Sequence, residues 1–130
     1  MRCVVVVDEA LAPGKAANAA AVMAMTLGTK VPELIGEDFE DAAGSAHPGL
    51  FRHGLPVLKA TPEQLKGLRA RAVAAEVGVV GFPANGQQTT DYEDFRAMVA
   101  TLAEPDYIGL ALYGDAKTVR KLTGSFGLLR

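Results

Sequence analysis

Cys3-Val4-Val5-Val6-Val7 sets five apolar residues in an unbroken row, four of them valine, and the row stops at Asp8-Glu9. A run without apolar–polar alternation marks a strand buried on both faces. The rest of the chain must supply that cover. A short loop, Ala10 to Lys15, leads into an alanine-rich stretch, 16–27. Pro13 suits a first helical turn and Gly28 a position just past a helix end, so a helix is predicted from Pro13 that stops at Gly28. Its residues are small nearly all round, which predicts cover on more than one side. Any site is expected at this strand–loop–helix corner.

At 130 residues the chain reads as a single domain, 1–130. A chain of this size buries roughly two thirds of its unfolded surface, enough for a core without staples. With no tryptophan and 6% aromatic residues, that core must be mainly Val, Leu, Ala and Met. The net charge of −2 gives no long-range pull towards nucleic acid or an anionic membrane, so neither is expected as a partner. Cys3 is the only cysteine, which excludes an intrachain disulfide and suits a reducing compartment. In a central strand it reads as a buried, inert thiol. The apolar row is too short for a signal peptide, and no stretch approaches the ~20 residues of a membrane helix. A cytoplasmic protein is expected.

Further strands are predicted near 55–60, 77–83 and 107–113. Pro56 confines the first of these to a strand start or an edge. Thr61-Pro62-Glu63-Gln64 is a capping box with proline at the first helical position. Thr90-Asp91-Tyr92-Glu93 reads as a second box, opening a helix over 90–103 that Glu104-Pro105-Asp106 ends. Gly114-Asp115 caps a last helix over 116–123, ahead of a tail. The segment 29–54, punctuated by proline and glycine, offers Leu34-Ile35 as a short edge strand and otherwise reads as loop, with Glu37–Asp41 a solvated acidic stretch. Loops of this length in small domains are often functional. The alternation predicts an α/β domain: one mixed sheet, helices on both faces, Val4–Val7 central, and the strands near 2–7, 55–60 and 77–83 parallel.

Gly14-Lys15 at a helix mouth invites a phosphate-binding reading. The P-loop pattern needs glycine five positions earlier and Ser or Thr next, where this chain has Glu9 and Ala16. What survives is a modest anion site made of free N–H groups and one ammonium. His47 and His53 lack a Cys or acidic partner at metal-ligand spacing and read as surface or structural residues. No metal or cofactor is expected.

Three blocks carry a resemblance. They are Val4–Val7 with Gly14-Lys15-Ala16-Ala17; then Val57-Leu58-Lys59-Ala60, Glu63-Gln64-Leu65 and Gly78-Val79-Val80; then Ile108-Gly109-Leu110-Ala111, Gly114, Val119, Lys121-Leu122-Thr123-Gly124 and Leu128. In this order they resemble the type II peptidyl-tRNA hydrolases. In particular they resemble a bacterial group with that fold and no assigned activity, the domain-of-unknown-function family number two thousand. The resemblance implies a three-layer α/β/α sandwich over a four-stranded mixed sheet, and a homodimer. It puts Lys15 at that family's essential lysine, but Ala19 and Val22 at its helical glutamine and histidine. Pro83 stands for the catalytic aspartate and Gln87 for a threonine; only Ala84 of that segment is kept. Proline has no acidic group, so general acid–base work of that kind has no agent.

Three readings stay open. One is a non-hydrolytic module holding a small anionic or polar ligand through Lys15 and the 85–89 loop, with Asn18, Ala84, Asn85, Gln87 and Gln88 as its contacts. Another is a diverged ester or amide hydrolase using Lys15 and Asp91. The third is a dimeric protein-interaction module. A carboxylate within reach of Lys15 is the mark of the second.

Overall fold

The computed structural model describes residues 1–130. In chain order its elements are β1 (Arg2–Asp8), α1 (Pro13–Lys30), β2 (Phe39–Glu40), β3 (Ala46–His47), β4 (Val57–Ala60), α2 (Pro62–Ala74), β5 (Gly78–Pro83), α3 (Tyr92–Val99), β6 (Tyr107–Gly114) and α4 (Ala116–Thr123). The main sheet has the order β4-β1-β6-β5. β1 is parallel to β4, and β6 is antiparallel to both β1 and β5. The strands β1, β4 and β5 therefore run the same way, with β6 against them and the valine row inside the sheet.

Side-chain alternation along β1 divides the core in two. Val4 and Val6 meet Leu65, Leu68 and Ala72 of α2 and Val119 of α4. Val5 and Val7 meet Ala16, Ala19 and Met23 of α1 on the other face. All four valines are fully buried, each contributing about 2 kcal/mol of transfer free energy. The connections from β1 to β4 and from β4 to β5 step across the sheet in opposite senses. Helices of equal crossover hand then fall on opposite faces, which accounts for the helical layer on each side.

Several local expectations are corrected. α1 runs through Gly28 to Lys30; Val31 caps it through a 2.9 Å bond to the Leu27 carbonyl, and Pro32 stops it. Proline lacks the N–H to continue, which makes it the stronger stop. α1 is buried along one stripe only, Ala16, Ala19, Met23 and Leu27, and Met25 is 77% exposed. Leu34 lies in a 3-10 turn, Pro32–Leu34, and Ile35 makes a single bridge to Phe51. The segment 29–54 also holds the small hairpin β2–β3. Asp41 ties it, accepting from the Ala43 and Ser45 N–H groups and meeting His47 Nε2 at 2.9 Å. Asp38 accepts from the Gly49 N–H. These acidic residues are turn-formers and not merely solvated.

The Thr61 capping box is complete, with both reciprocal bonds present. At the other end of α2, Glu76 and Val77 N–H groups bond the Val73 and Ala72 carbonyls, a Schellman closure with Glu76 at φ 57°. In α3 the cap is Asp91, not Thr90: its Oδ1 accepts the Asp94 N–H at 3.0 Å. α3 is also shorter than predicted and ends at Val99, where the Thr101 hydroxyl takes the Met98 carbonyl. The tail does more than trail: Lys59 N–H bonds the Gly127 carbonyl and Leu129 N–H the Val57 carbonyl. It covers the outer edge of β4, as edge strands require.

Candidate functional site

The corner that opens α1 is an exposed surface. Lys15 is exposed, and the ion pairs of the molecule, His47–Asp41, Lys66–Asp106 and Arg96–Glu93, do not include it. Of the acidic pair Asp8-Glu9 that precedes the loop, Asp8 turns its Oδ1 to the Ala10 N–H at 2.9 Å. Cys3 lies at the far end of β1, packed with Leu27, Val31 and Leu34 under the end of α1, and burial pushes its thiol up against the opposing pull of the N-terminal amino group. It is poorly placed to act as a thiolate.

Part of the expected polar cluster does assemble. The Gln87 side-chain amide donates to the Lys15 carbonyl at 2.9 Å and to Asn18 Oδ1 at 3.0 Å. Gln87 lies on a 3-10 turn, Ala84–Gln87, that leaves β5. Ala84 is held there by its N–H on the Asp106 carbonyl, and Asn85 by its carbonyl, which accepts from the Gln88 N–H. Gln88 itself is exposed.

One helical turn beyond Asn18 lies a cavity of about 340 Å³ between α1, β5 and α3. Small-molecule sites typically measure ~300–1,000 Å³. Val22, Met23 and Thr26 form its α1 wall; Val80 to Pro83 and Gly86 form its floor. Thr89, Thr90, Asp91, Tyr92 and Phe95 close the third side. A Cβ on Gly86 would collide with the Phe82 ring, so glycine lets the turn lie flat on that ring. The Tyr92 and Phe95 rings stand 5.8 Å apart, tilted by 46°. Asp91 is the one charged residue of the lining. A second, smaller hollow of about 160 Å³ lies between α2 and the α3–β6 connection. There Lys66 is paired with Asp106 at 3.0 Å, which holds its ammonium pKa up, and Arg69 lies over the Tyr107 ring.

Of the candidate site residues named from sequence, Asp91 and Thr89 of the 85–89 loop line the larger cavity, as do Val22 and Pro83, where the resemblance marks a lost histidine and aspartate. Asn18, Ala84, Asn85, Gln87 and Gln88 stand beside it, as chain or helical-turn neighbours of residues that do, and Lys15 lies two helical turns before Val22. Val22, Thr26, Tyr92 and Phe95 were missed as site residues. For the α3 residues the one sequence signal is an apolar stripe, Phe95, Met98 and Val99, on a helix none of whose residues is fully buried. No helix is long and apolar enough to cross a membrane.

Comparison with known proteins adds the following. Residues 1–130 match the family model described as protein of unknown function (DUF2000). No curated protein matches the chain. Among solved structures it is similar to a protein of unknown function from Agrobacterium tumefaciens strain C58, at 22% identity and a TM-score of 0.91, over 98% of this chain and 96% of that one. At that identity the likeness shows the fold alone.

Proposed function

The chain belongs to the DUF2000 family, proteins of unknown function, and from its geometry we propose a non-hydrolytic module that binds a small molecule. The ligand lies in the cavity between α1, β5 and α3. The observation that carries this reading is the cavity itself, of ligand size, with mostly apolar walls and a few hydroxyls. Lys15, Asn18, Ala84, Asn85, Gln87 and Gln88 form a polar collar at its α1 end. What speaks against hydrolysis is that no carboxylate pairs with Lys15 and that Asp91 is spent in part on capping α3.

The fold is proposed to be that of the type II peptidyl-tRNA hydrolases. Val22 and Pro83, the positions matching that family's histidine and aspartate, both line the one cavity. Such a coincidence is expected if the cavity is the old active site with its chemistry removed. A homodimer is part of the same proposal, and the exposed outward stripe Ala17, Ala21 and Met25 of α1 is available to it.

The test is a thermal-shift screen of small amines, acids and neutral compounds against the wild type and Val22→Trp, which puts bulk into the cavity mouth. A ligand at a hundred times its Kd stabilises by about 2.7 kcal/mol. Upward shifts in the wild type that vanish in the variant support the reading. Equal shifts in both, or none in either, count against it.

A further inference from the structure

Deepening the site reading above, we infer that the cavity takes a small organic cation with an apolar body, its ammonium lodged against Asp91 and the rings of Tyr92 and Phe95. The inference rests on that reading and on the charge and shape of the lining. Asp91 is the only ionised side chain there, and its Oδ1 alone is engaged, by the Asp94 N–H. Oδ2 has no partner in the protein. In the first turn of α3 Asp94 adds a second carboxylate, while Glu93 is paired with Arg96 at 3.2 Å. A helix N-terminus offsets only about half a positive charge, so this end of the cavity is negative on balance. An anion would be repelled from it.

The walls select further. Phe82 lies nearly buried on the floor, Phe95 half-buried at the side, and Tyr92 is exposed at the rim. Ring faces around a carboxylate are the chemistry that holds an ammonium, above all one bearing alkyl groups that shed water easily. Val22, Met23 and Val80 leave apolar space for the body of such a ligand. The competing charges are Arg96, which is paired with Glu93, and Lys15, seven residues from Val22 and so about 10 Å along α1. At physiological salt that exceeds the Debye length of ~8 Å, and the collar does not cancel the preference.

The experiment follows amide chemical shifts of the isotope-labelled full chain. Three probes of like size are titrated: benzyltrimethylammonium, neutral dimethyl benzyl carbinol, and anionic phenylpropionate. The cation is expected to give saturable shifts at Phe82, Gly86 and Phe95 with a Kd of about 1 mM or tighter. The other two should bind at least about tenfold more weakly. Asp91→Asn keeps the α3 cap, since asparagine caps as well as aspartate. It should weaken the cation about tenfold and leave the carbinol unchanged. Carbinol or phenylpropionate binding as tightly as the cation at those amides overturns the charge preference and leaves the cavity as a site. Indifference of the cation to Asp91→Asn overturns the inference in the same way. No shift at those amides with any of the three probes overturns it together with the site reading beneath it.

Discussion

Gln87 donates to Asn18 Oδ1 across 69 positions of sequence, and through that 3.0 Å bond the turn leaving β5 is fastened to α1. The same amide reaches the Lys15 carbonyl, so one side chain sets the distance between two walls of the cavity. Gln87→Ala removes both bonds at a half-exposed place. A loss of about 1 kcal/mol is expected from the denaturant midpoint. Faster amide exchange should be confined to residues 84–88; exchange unchanged there would show that the fastening does nothing.

Glu76 sits in the left-handed region at φ 57°, closing α2 where glycine is the usual residue. A side chain there costs about 1–2 kcal/mol, of which glycine's greater freedom in the unfolded chain returns part. Glu76→Gly is therefore expected to stabilise the protein by about 0.5–1 kcal/mol. A thermal melt moving downward would contradict the assignment of the Schellman closure.

The tail bonds to β4 from Gly127 and Leu129, and Leu129 packs against the α1-side core. Deleting 127–130 should cost about 2 kcal/mol, from apolar burial and two ladder bonds. It should also bare the β4 edge, so light scattering at high concentration should rise. A truncated chain as stable and as monodisperse as the full one would refute that role.

Two carboxylates give the acid response its sign. Asp41 is held below its ordinary value first by His47 and then by the Ser45 N–H; Asp115, by the Thr118 N–H and hydroxyl. A depressed folded pKa gives stability that is fully present above the unfolded value, about 3.9, and is lost as pH falls through the folded one. Stability should therefore fall with acidification below about pH 4, and Asp41→Asn with Asp115→Asn should flatten that fall. Both groups are exposed, so the effect is small and shrinks with salt. An unchanged slope in the double variant would contradict it.

The sheet was legible because its signals are local. The unalternated valine row, Pro56 at an edge and the Thr61 box each carry their meaning within a few residues. Element ends were read less well where two stops competed, as Gly28 did with Pro32, or where adjacent residues both suit a cap, as Thr90 and Asp91 do. The hairpin of 39–47 escaped because its strands are two residues each and Asp41 holds it by side-chain bonds. The cavity as an enclosed space was not legible, although Asp91 and the positions of Val22 and Pro83 on its walls were named. It exists because α3 returns beside Val22 and Thr26, and no periodicity within either helix encodes that approach. Lys15 drew attention as a charge on a glycine loop, while Tyr92 was read only as part of the capping box that opens α3.

The most direct test of the central claim, that the cavity holds a small molecule, is native mass spectrometry of freshly purified protein, wild type and Val22→Trp side by side. The same spectra count the copies in the assembly. The wild type is predicted to carry a small-molecule mass that collisional activation releases and that Val22→Trp lacks. A bare wild-type chain, or the same added mass on both proteins, would contradict the account.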